Sequence, residues 1–143
     1  MKLEGLFNAR AEEIGHELRM REVPQKGGTT RRFEIDRLGV RVPEVGVLAD
    51  EDAGSVTVIC NMGAGAACDG LVTFSTAIDA VMRWRTDAQV KKRNDVLKRL
   101  HLFDGGMSTG KTQQTTCAGR CFSVKLNCPN KGLMLFQISE LNG

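Results

Sequence analysis

The segment 105–112 matches the phosphate-loop motif G-x-x-x-x-G-K-[ST] in full. In that motif the glycines let backbone N–H groups approach phosphates, the lysine contacts the outer phosphates and the hydroxyl binds Mg²⁺. The motif needs a buried strand before it and a helix after it, whereas residues 113–119 make a poor helix start. Nucleotide or phosphate binding is therefore an alternative function, and its candidate residues are Gly105, Gly110, Lys111 and Thr112.

The most basic segment of the chain covers 83–101, where only Asp87 and Asp95 are acidic. Clustered cationic side chains bind phosphates through charge alone. Aromatic side chains that stack on bases are nearly absent from it, Trp84 being the exception. The pattern favours a solvated helix face, with a nucleic-acid-binding module as an alternative. The basic residues are Arg83, Arg85, Lys91, Lys92, Arg93, Lys98 and Arg99.

The five cysteines and two histidines do not form a recognisable metal or catalytic set. Cys117 and Cys121 are four residues apart, and the chain contains no Cys-x-x-Cys pair of the kind that binds zinc. No nucleophile motif surrounds His16 or His101. The sequence therefore predicts no metal, no cofactor and no catalytic residue, and it favours a non-enzymatic role.

Size and composition predict a single soluble domain over residues 1–143. Hydrophobic residues make up 41% and charged residues 26% of the chain, values typical of a globular protein with one core. No apolar run approaches the roughly 18 residues of a membrane span, and the first residues do not resemble a signal peptide. The odd number of cysteines suits thiols kept reduced. The expected location is cytoplasmic, with no membrane partner.

Hydrophobic spacing predicts the elements of the first half of the chain. Apolar residues recur at intervals of three and four over 3–18, which indicates an amphipathic helix. Alternating or β-branched residues predict strands over 32–36 with 40–42, over 45–49 and over 55–60. Pro43 lacks a backbone N–H, so it is expected at a strand end or an edge.

The second half predicts one or two central helices followed by a hairpin. Helical spacing runs from Leu71 to Met82, and a capping box at 86–89 begins a second helix that extends to about Leu100. The segment 105–119 is predicted to be a flexible glycine-rich loop. Strands at 122–126 and 133–138 flank a turn. The predicted class is α+β, with an N-terminal helix, a mostly antiparallel sheet of five to six strands and one or two central helices.

This order of elements resembles the class I type III secretion chaperones, the family of the Tir chaperone. The resemblance is carried by the helices at 10–15 and 77–84, the strands at 33–36 and 56–60, and the closing hairpin. Members of that family are small homodimers that hold an extended segment of a secreted protein against their sheets. The resemblance implies a non-enzymatic, chaperone-like homodimer whose partner is another protein. Members are typically acidic whereas this chain carries a net charge of +3, and no binding residue is transferred.

Overall fold

Two helices and seven strands form the described part of the chain, and this α+β arrangement confirms the predicted fold class. The computed structural model describes residues 2–61, 69–86, 112–117, 120–130 and 132–141. The elements are α1 (Leu3–Glu13), β1 (Leu18–Val23), β2 (Thr30–Arg37), β3 (Val40–Asp50), β4 (Ser55–Asn61), α2 (Asp69–Thr86), β5 (Thr112–Cys117), β6 (Arg120–Asn130) and β7 (Leu133–Leu141).

The strands form one antiparallel sheet in the order β1-β2-β3-β4-β7-β6-β5. Strands β1 to β4 follow one another as hairpins, and β7 returns to pair with β4 at the centre of the sheet. The predicted closing hairpin is present as β6 and β7. The sheet holds more than the five to six strands expected, because short strands β1 and β5 extend its two ends.

The hydrophobic core lies between one face of the sheet and the two helices. Alternate residues of β4 and β7 are buried, as the period of two in a strand requires. Helix α1 buries Leu3, Leu6, Phe7 and Ala11, and α2 packs against β3, β4 and β7. Each large apolar side chain buried in this way contributes about 1.5–3 kcal/mol relative to an exposed one. The core thus fixes which face of strands β1 to β4, β6 and β7 meets solvent.

Helix α1 ends at Glu13, earlier than the spacing of its apolar residues predicts. Gly15 has a φ of 74°, the left-handed conformation that glycine adopts without strain. The N–H of Gly15 donates to the carbonyl of Glu12, and the N–H of His16 donates to that of Ala11, a helix-ending pattern that stops the turn. Leu18 keeps helical spacing in sequence but belongs to β1.

The C-terminal part of the segment predicted as a loop forms a strand. Thr112–Cys117 pairs with β6 over its whole length as strand β5. Threonine favours strands once a partner is available, and β6, which follows after a short connection, is that partner. Residues 105–111 and the second central helix predicted to end near Leu100 lie outside the described residues.

Arg31 forms ion pairs with Glu22 and Glu51 beside Trp84. The guanidinium of Arg31 donates to Glu22 at 2.6 Å and to Glu51 at 3.3 Å, and it lies over the rings of Phe33 and Trp84. The hydrogen bond from Arg31 lowers the pKa of the Glu22 carboxyl. Because both side chains are more than a third exposed, solvent screens the pair and its contribution to stability is small.

Replacing Glu22 by glutamine is expected to lower the free energy of unfolding at neutral pH by about 0.5 kcal/mol. A carboxyl whose pKa is lowered by folding stabilises the folded state above its unfolded pKa, and that stabilisation disappears as pH falls through the folded pKa. The wild type and Glu22→Gln should therefore converge in acid, as measured by urea denaturation across a pH series. A difference that stays constant into acid would show that the carboxylate charge is not its source.

Candidate functional site

The hairpin between β2 and β3 ends in a strained two-residue turn. Arg37 pairs with Val40, and the two residues between them, Leu38 and Gly39, have φ values of 50° and 79°. Positive φ at both positions defines a type I′ turn, which favours Asn-Gly. Leucine costs about 1–2 kcal/mol in this conformation. The N–H of Leu38 also donates to the carbonyl of Glu17 at 3.4 Å, which ties the turn to the start of β1.

The same turn exposes two large apolar side chains. Leu38 is 74% exposed and Val40 71%, while Leu141, at 40%, is the next in the part of the chain that the structure describes. Apolar side chains that are both exposed and adjacent are typical of interaction sites. Backbone strain that brings no gain in packing also points to a functional role. The turn is therefore the first part of the candidate site.

Strand β3 is irregular directly after the turn. Arg41 pairs with Asp36 and Gly46 with Glu34, so four residues of β3 lie opposite a single residue of β2. The ladder with β4 begins only at Val45. Residues 42–44 therefore have no ladder partner on either side within the described ranges. Pro43 belongs to this bulge, which tolerates its missing N–H, rather than to the strand end or edge expected from the sequence.

A groove of about 410 Å³ lies beside the bulge, and we call it the bulge groove. Its apolar walls come from the turn and from β3, and its other side is the beginning of α2. Extended backbone that lacks a ladder partner among the described residues lies here next to apolar walls, and such a combination can bind an extended peptide. The lining residues are Arg37, Leu38, Val40, Arg41, Val42, Pro43, Glu44, Gly70 and Thr73.

A second cleft, of about 710 Å³, lies on the other side of Leu38 between α1, β1 and the turn. Glu12 and Glu17 are exposed there, whereas Asp36 is paired with Arg21 at 3.4 Å. We call it the acidic cleft. His16 lies in it, and none of the described residues that line the cleft is a serine or a cysteine. The lining residues are Asn8, Ala9, Glu12, His16, Glu17, Leu18, Arg19, Asp36, Leu38 and Gly39.

The edge of the sheet at β1 is protected against strand addition. The side-chain oxygen of Asn8 in α1 accepts the Met20 N–H at 2.8 Å, which occupies an outward-facing donor of this strand. Natural proteins cover their edge strands in this way to prevent unwanted pairing. An extended partner therefore has a better docking point in the bulge groove than at β1.

The open face of β1 to β3 carries ion pairs. Glu34 contacts Arg21 at 2.9 Å and Arg41 at 3.4 Å, and Arg21 also contacts Asp36. These charges are satisfied by one another, so this face does not offer the apolar patch that the family resemblance implies. The apolar exposure of this half of the sheet is concentrated at the turn.

Little of the sequence-predicted phosphate loop lies in the described ranges. Thr112 begins a strand, whereas the motif requires its hydroxyl residue at the start of a helix whose N–H groups face the phosphate. That placement counts against a phosphate loop. Gly105, Gly110 and Lys111 lie outside the described residues.

The basic residues of the sequence are only partly described. Arg83 is exposed in the last turn of α2, and the guanidinium of Arg85 stacks on Trp84 at 4.3 Å. Cations in the last turn of a helix interact favourably with its dipole, which gives both residues a structural role. The other basic residues, Lys91, Lys92, Arg93, Lys98 and Arg99, lie outside the described residues.

Among the residues with assigned positions, no group of three His, Cys, Asp or Glu side chains could hold a metal ion. Burial raises the pKa of the Cys60 thiol to about 11, so it stays protonated and unreactive at neutral pH. Cys121 is exposed. Neither helix of the described chain is long and apolar enough to cross a membrane.

No protein-family model, curated protein or solved structure matches this chain. Neither the bulge groove nor the turn was predicted from the sequence. The sequence signal of the turn is Leu38-Gly39-Val40, where two apolar residues flank a turn glycine in place of the usual polar ones. The function therefore has to be argued from the geometry of this region.

Replacing Leu38 by asparagine is expected to raise the free energy of unfolding by about 1 kcal/mol, because an Asn-Gly pair adopts the type I′ turn with less strain. Gly39→Ala is the matched control and should destabilise the protein, since the φ of 79° at that position suits glycine. Both are measured by thermal and urea denaturation. A Leu38→Asn variant less stable than the wild type would show that the leucine makes a packing contribution exceeding its strain.

Proposed function

We propose that this chain is a non-enzymatic protein-binding domain that holds an extended segment of another protein in the bulge groove. The observation that carries the proposal is the extended backbone at residues 42–44, which has no ladder partner on either side among the described residues. Beside it Val40 is 71% exposed. Extended backbone without a described ladder partner and exposed apolar surface therefore lie at the same place.

The partner segment binds by strand addition. Its backbone pairs with the N–H and carbonyl groups of Val42 and Glu44, which face the same edge of an extended segment, and these main-chain bonds supply affinity independent of sequence. Alternate side chains of the segment then contact Val40 and Val42, which supplies specificity for apolar residues. Catalysis is no part of this function.

The resemblance to class I type III secretion chaperones also implies an extended protein segment as partner, although it places that segment against the face of the sheet. We therefore include in the proposal a chaperone-like homodimer that acts in the cytoplasm and keeps its partner segment extended. The partner is a protein segment that has not yet folded, because a folded strand would already have its backbone groups paired.

A library of short random peptides displayed on phage tests the proposal. Selection on the wild-type protein should enrich peptides with alternating apolar residues. Val40→Asp should weaken their binding at least about tenfold, the effect of losing about 1.4 kcal/mol from an apolar contact. Leu141→Asp is the matched control, since Leu141 is an exposed leucine in β7, outside the groove.

Peptides bound equally well by wild type and Val40→Asp would rule out the bulge groove as the binding site. Affinity is measured by fluorescence anisotropy of labelled peptide, and circular dichroism confirms that each variant is folded. Equal losses in Val40→Asp and Leu141→Asp would also contradict the proposal, because they would indicate a general effect of the added charge.

A further inference from the structure

We infer that the partner segment held in the bulge groove is flanked by a short acidic stretch, which binds four arginines on the open face of the sheet. This inference deepens the proposed function and rests on it, since it names a second chemical feature of the same partner. We call the four residues the arginine cluster, and they are Arg19 and Arg21 in β1, Arg32 in β2 and Arg41 in β3.

Ion pairs hold three of these arginines around two carboxylates of β2. Glu34 contacts Arg21 at 2.9 Å and Arg41 at 3.4 Å. Arg32 lies 4.0 Å from the same carboxylate, which is too far for a hydrogen bond. Asp36 contacts Arg21 at 3.4 Å. These contacts satisfy the two carboxylates, but they do not balance the positive charge of the face.

The positive charge lies at the surface and the negative charge beneath it. The side chains of the three paired arginines are 48–54% exposed, whereas Glu34 is 15% and Asp36 25% exposed. Arg19 is exposed and has no ion pair within the described ranges. Four arginines are therefore set against two carboxylates, and a partner that approaches this face meets guanidinium groups with a net charge of +2.

The strand register confines the arginine cluster to a small area. Arg19 lies opposite Asp36, which lies opposite Arg41, so the two arginines are two strand spacings apart, or about 10 Å. Arg32 lies four residues from Asp36 on the same strand, or about 13 Å. An area of this size accommodates about two or three carboxylates of a peptide. It is much smaller than the run of phosphates that a nucleic-acid-binding protein neutralises.

The surroundings of the cluster also favour a short acidic stretch over a long polyanion. Glu17 is exposed two residues before Arg19. Asp50 lies on the open face two residues beyond Leu48, the ladder partner of Arg32. A nucleic acid that crossed the cluster along its strands would meet these carboxylates. Among the described residues, this face also carries no aromatic side chain on which a base could stack.

Arg41 connects the arginine cluster to the bulge groove. It lines the groove, and its guanidinium contacts Glu34 on the open face. A partner segment that leaves the groove past Arg41 therefore enters the cluster, and about three extended residues span the 10 Å to Arg19. A guanidinium has five N–H donors, so one that contacts a carboxylate can still bind another. Arginine pairs well with carboxylates because two of its N–H groups can donate at once.

Peptides with and without an acidic extension test the inference. A groove-binding peptide from the phage selection is synthesised with a short run of aspartates at either end, or with asparagines as the uncharged control. Aspartates at one of the two ends should tighten binding to the wild type at least about fivefold relative to asparagines. Added salt should reduce this gain, because the contacts lie at the surface. Fluorescence anisotropy measures the affinities.

Two double variants show whether the gain comes from the arginine cluster. Arg19→Gln with Arg32→Gln is the test variant, because these residues contribute least to the ion pairs of the face. It should lose most of the gain and still bind the unextended peptide. Lys26→Gln with Arg83→Gln is the matched control, since it removes the same charge from exposed positions outside the cluster. The control should keep the gain, and circular dichroism confirms that both variants are folded.

An equal gain in the two double variants, or no gain from aspartates at either end, would overturn the inference. The proposed function would then still stand if Val40→Asp weakens binding of the unextended peptide. If Val40→Asp has no effect on that peptide, the proposed function itself is wrong. A short thymidine oligonucleotide that binds the wild type more tightly than the acidic peptide, and that the test variant releases, would assign the cluster to nucleic acid and overturn the inference.

Discussion

Replacing Phe136 by alanine is expected to lower the free energy of unfolding by about 3–5 kcal/mol, the usual cost of truncating a buried phenylalanine. Phe136 is fully buried in β7, at the centre of the sheet. Its pairing partners Val58 in β4 and Leu126 in β6 are also fully buried. Because β7 pairs with β4 on one side and with β6 on the other, the cavity forms where the two halves of the sheet meet.

Gln137→Ala is the matched control for this prediction. Gln137 is the next residue on the same strand but faces solvent, where its amide donates to the Thr57 hydroxyl at 3.3 Å. Its loss should change the free energy of unfolding by less than about 0.5 kcal/mol. Urea denaturation of both variants measures the difference. Similar effects for the two substitutions would contradict the assignment of Phe136 to the core.

Removal of Arg10 is expected to destabilise the protein by about 1–3 kcal/mol. The guanidinium of Arg10 in α1 contacts the Asp79 carboxylate in α2 at 3.0 Å, and the side chain of Asp79 is only 7% exposed. A carboxylate buried without its cation is costly, although the 41% exposure of Arg10 lets water replace part of the contact. Arg10→Ala therefore loosens the link between the two helices.

Two further variants separate this pair from general helix effects. Glu13→Ala removes the other contact of Arg10, an exposed one at 3.1 Å, and should cost less than about 0.5 kcal/mol. Arg10→Met combined with Asp79→Leu should recover much of the loss, since apolar replacement of both partners removes the desolvation penalty. If the losses in free energy of unfolding from Arg10→Met and Asp79→Leu, measured singly, add up to the loss of the double variant, the two residues are not coupled.

The elements that the sequence predicted best are those with the clearest alternation. Val56, Val58 and Cys60 in β4 are buried, and the residues between them face the solvent side of the sheet. Strand β1 was missed because Leu18 fits the helical spacing of α1, while Gly15 is what ends the helix. Strand β5 was missed because the glycines of 105–119 and the polar residues of 112–116 predict a loop, although β5 pairs with β6, the next strand of the chain.

The candidate site was harder to predict than the fold. The string at 105–112 matches a known motif, but a motif acts only within its structural context, and Thr112 begins a strand. The bulge depends on the pairing of Arg41 with Asp36 and of Gly46 with Glu34, which is a tertiary property. Pro43 was the one local sign that regular pairing is interrupted there.

Amide hydrogen exchange with a selected peptide tests the central claim most directly. If an extended segment adds to residues 42–44, the N–H groups of Val42 and Glu44 should exchange more slowly in the complex, because strand addition gives them hydrogen-bond acceptors. The amides of β1 should be unchanged, since that edge is covered by α1. Unchanged exchange at Val42 and Glu44 in a peptide-saturated protein, with protection elsewhere, would contradict binding in the bulge groove.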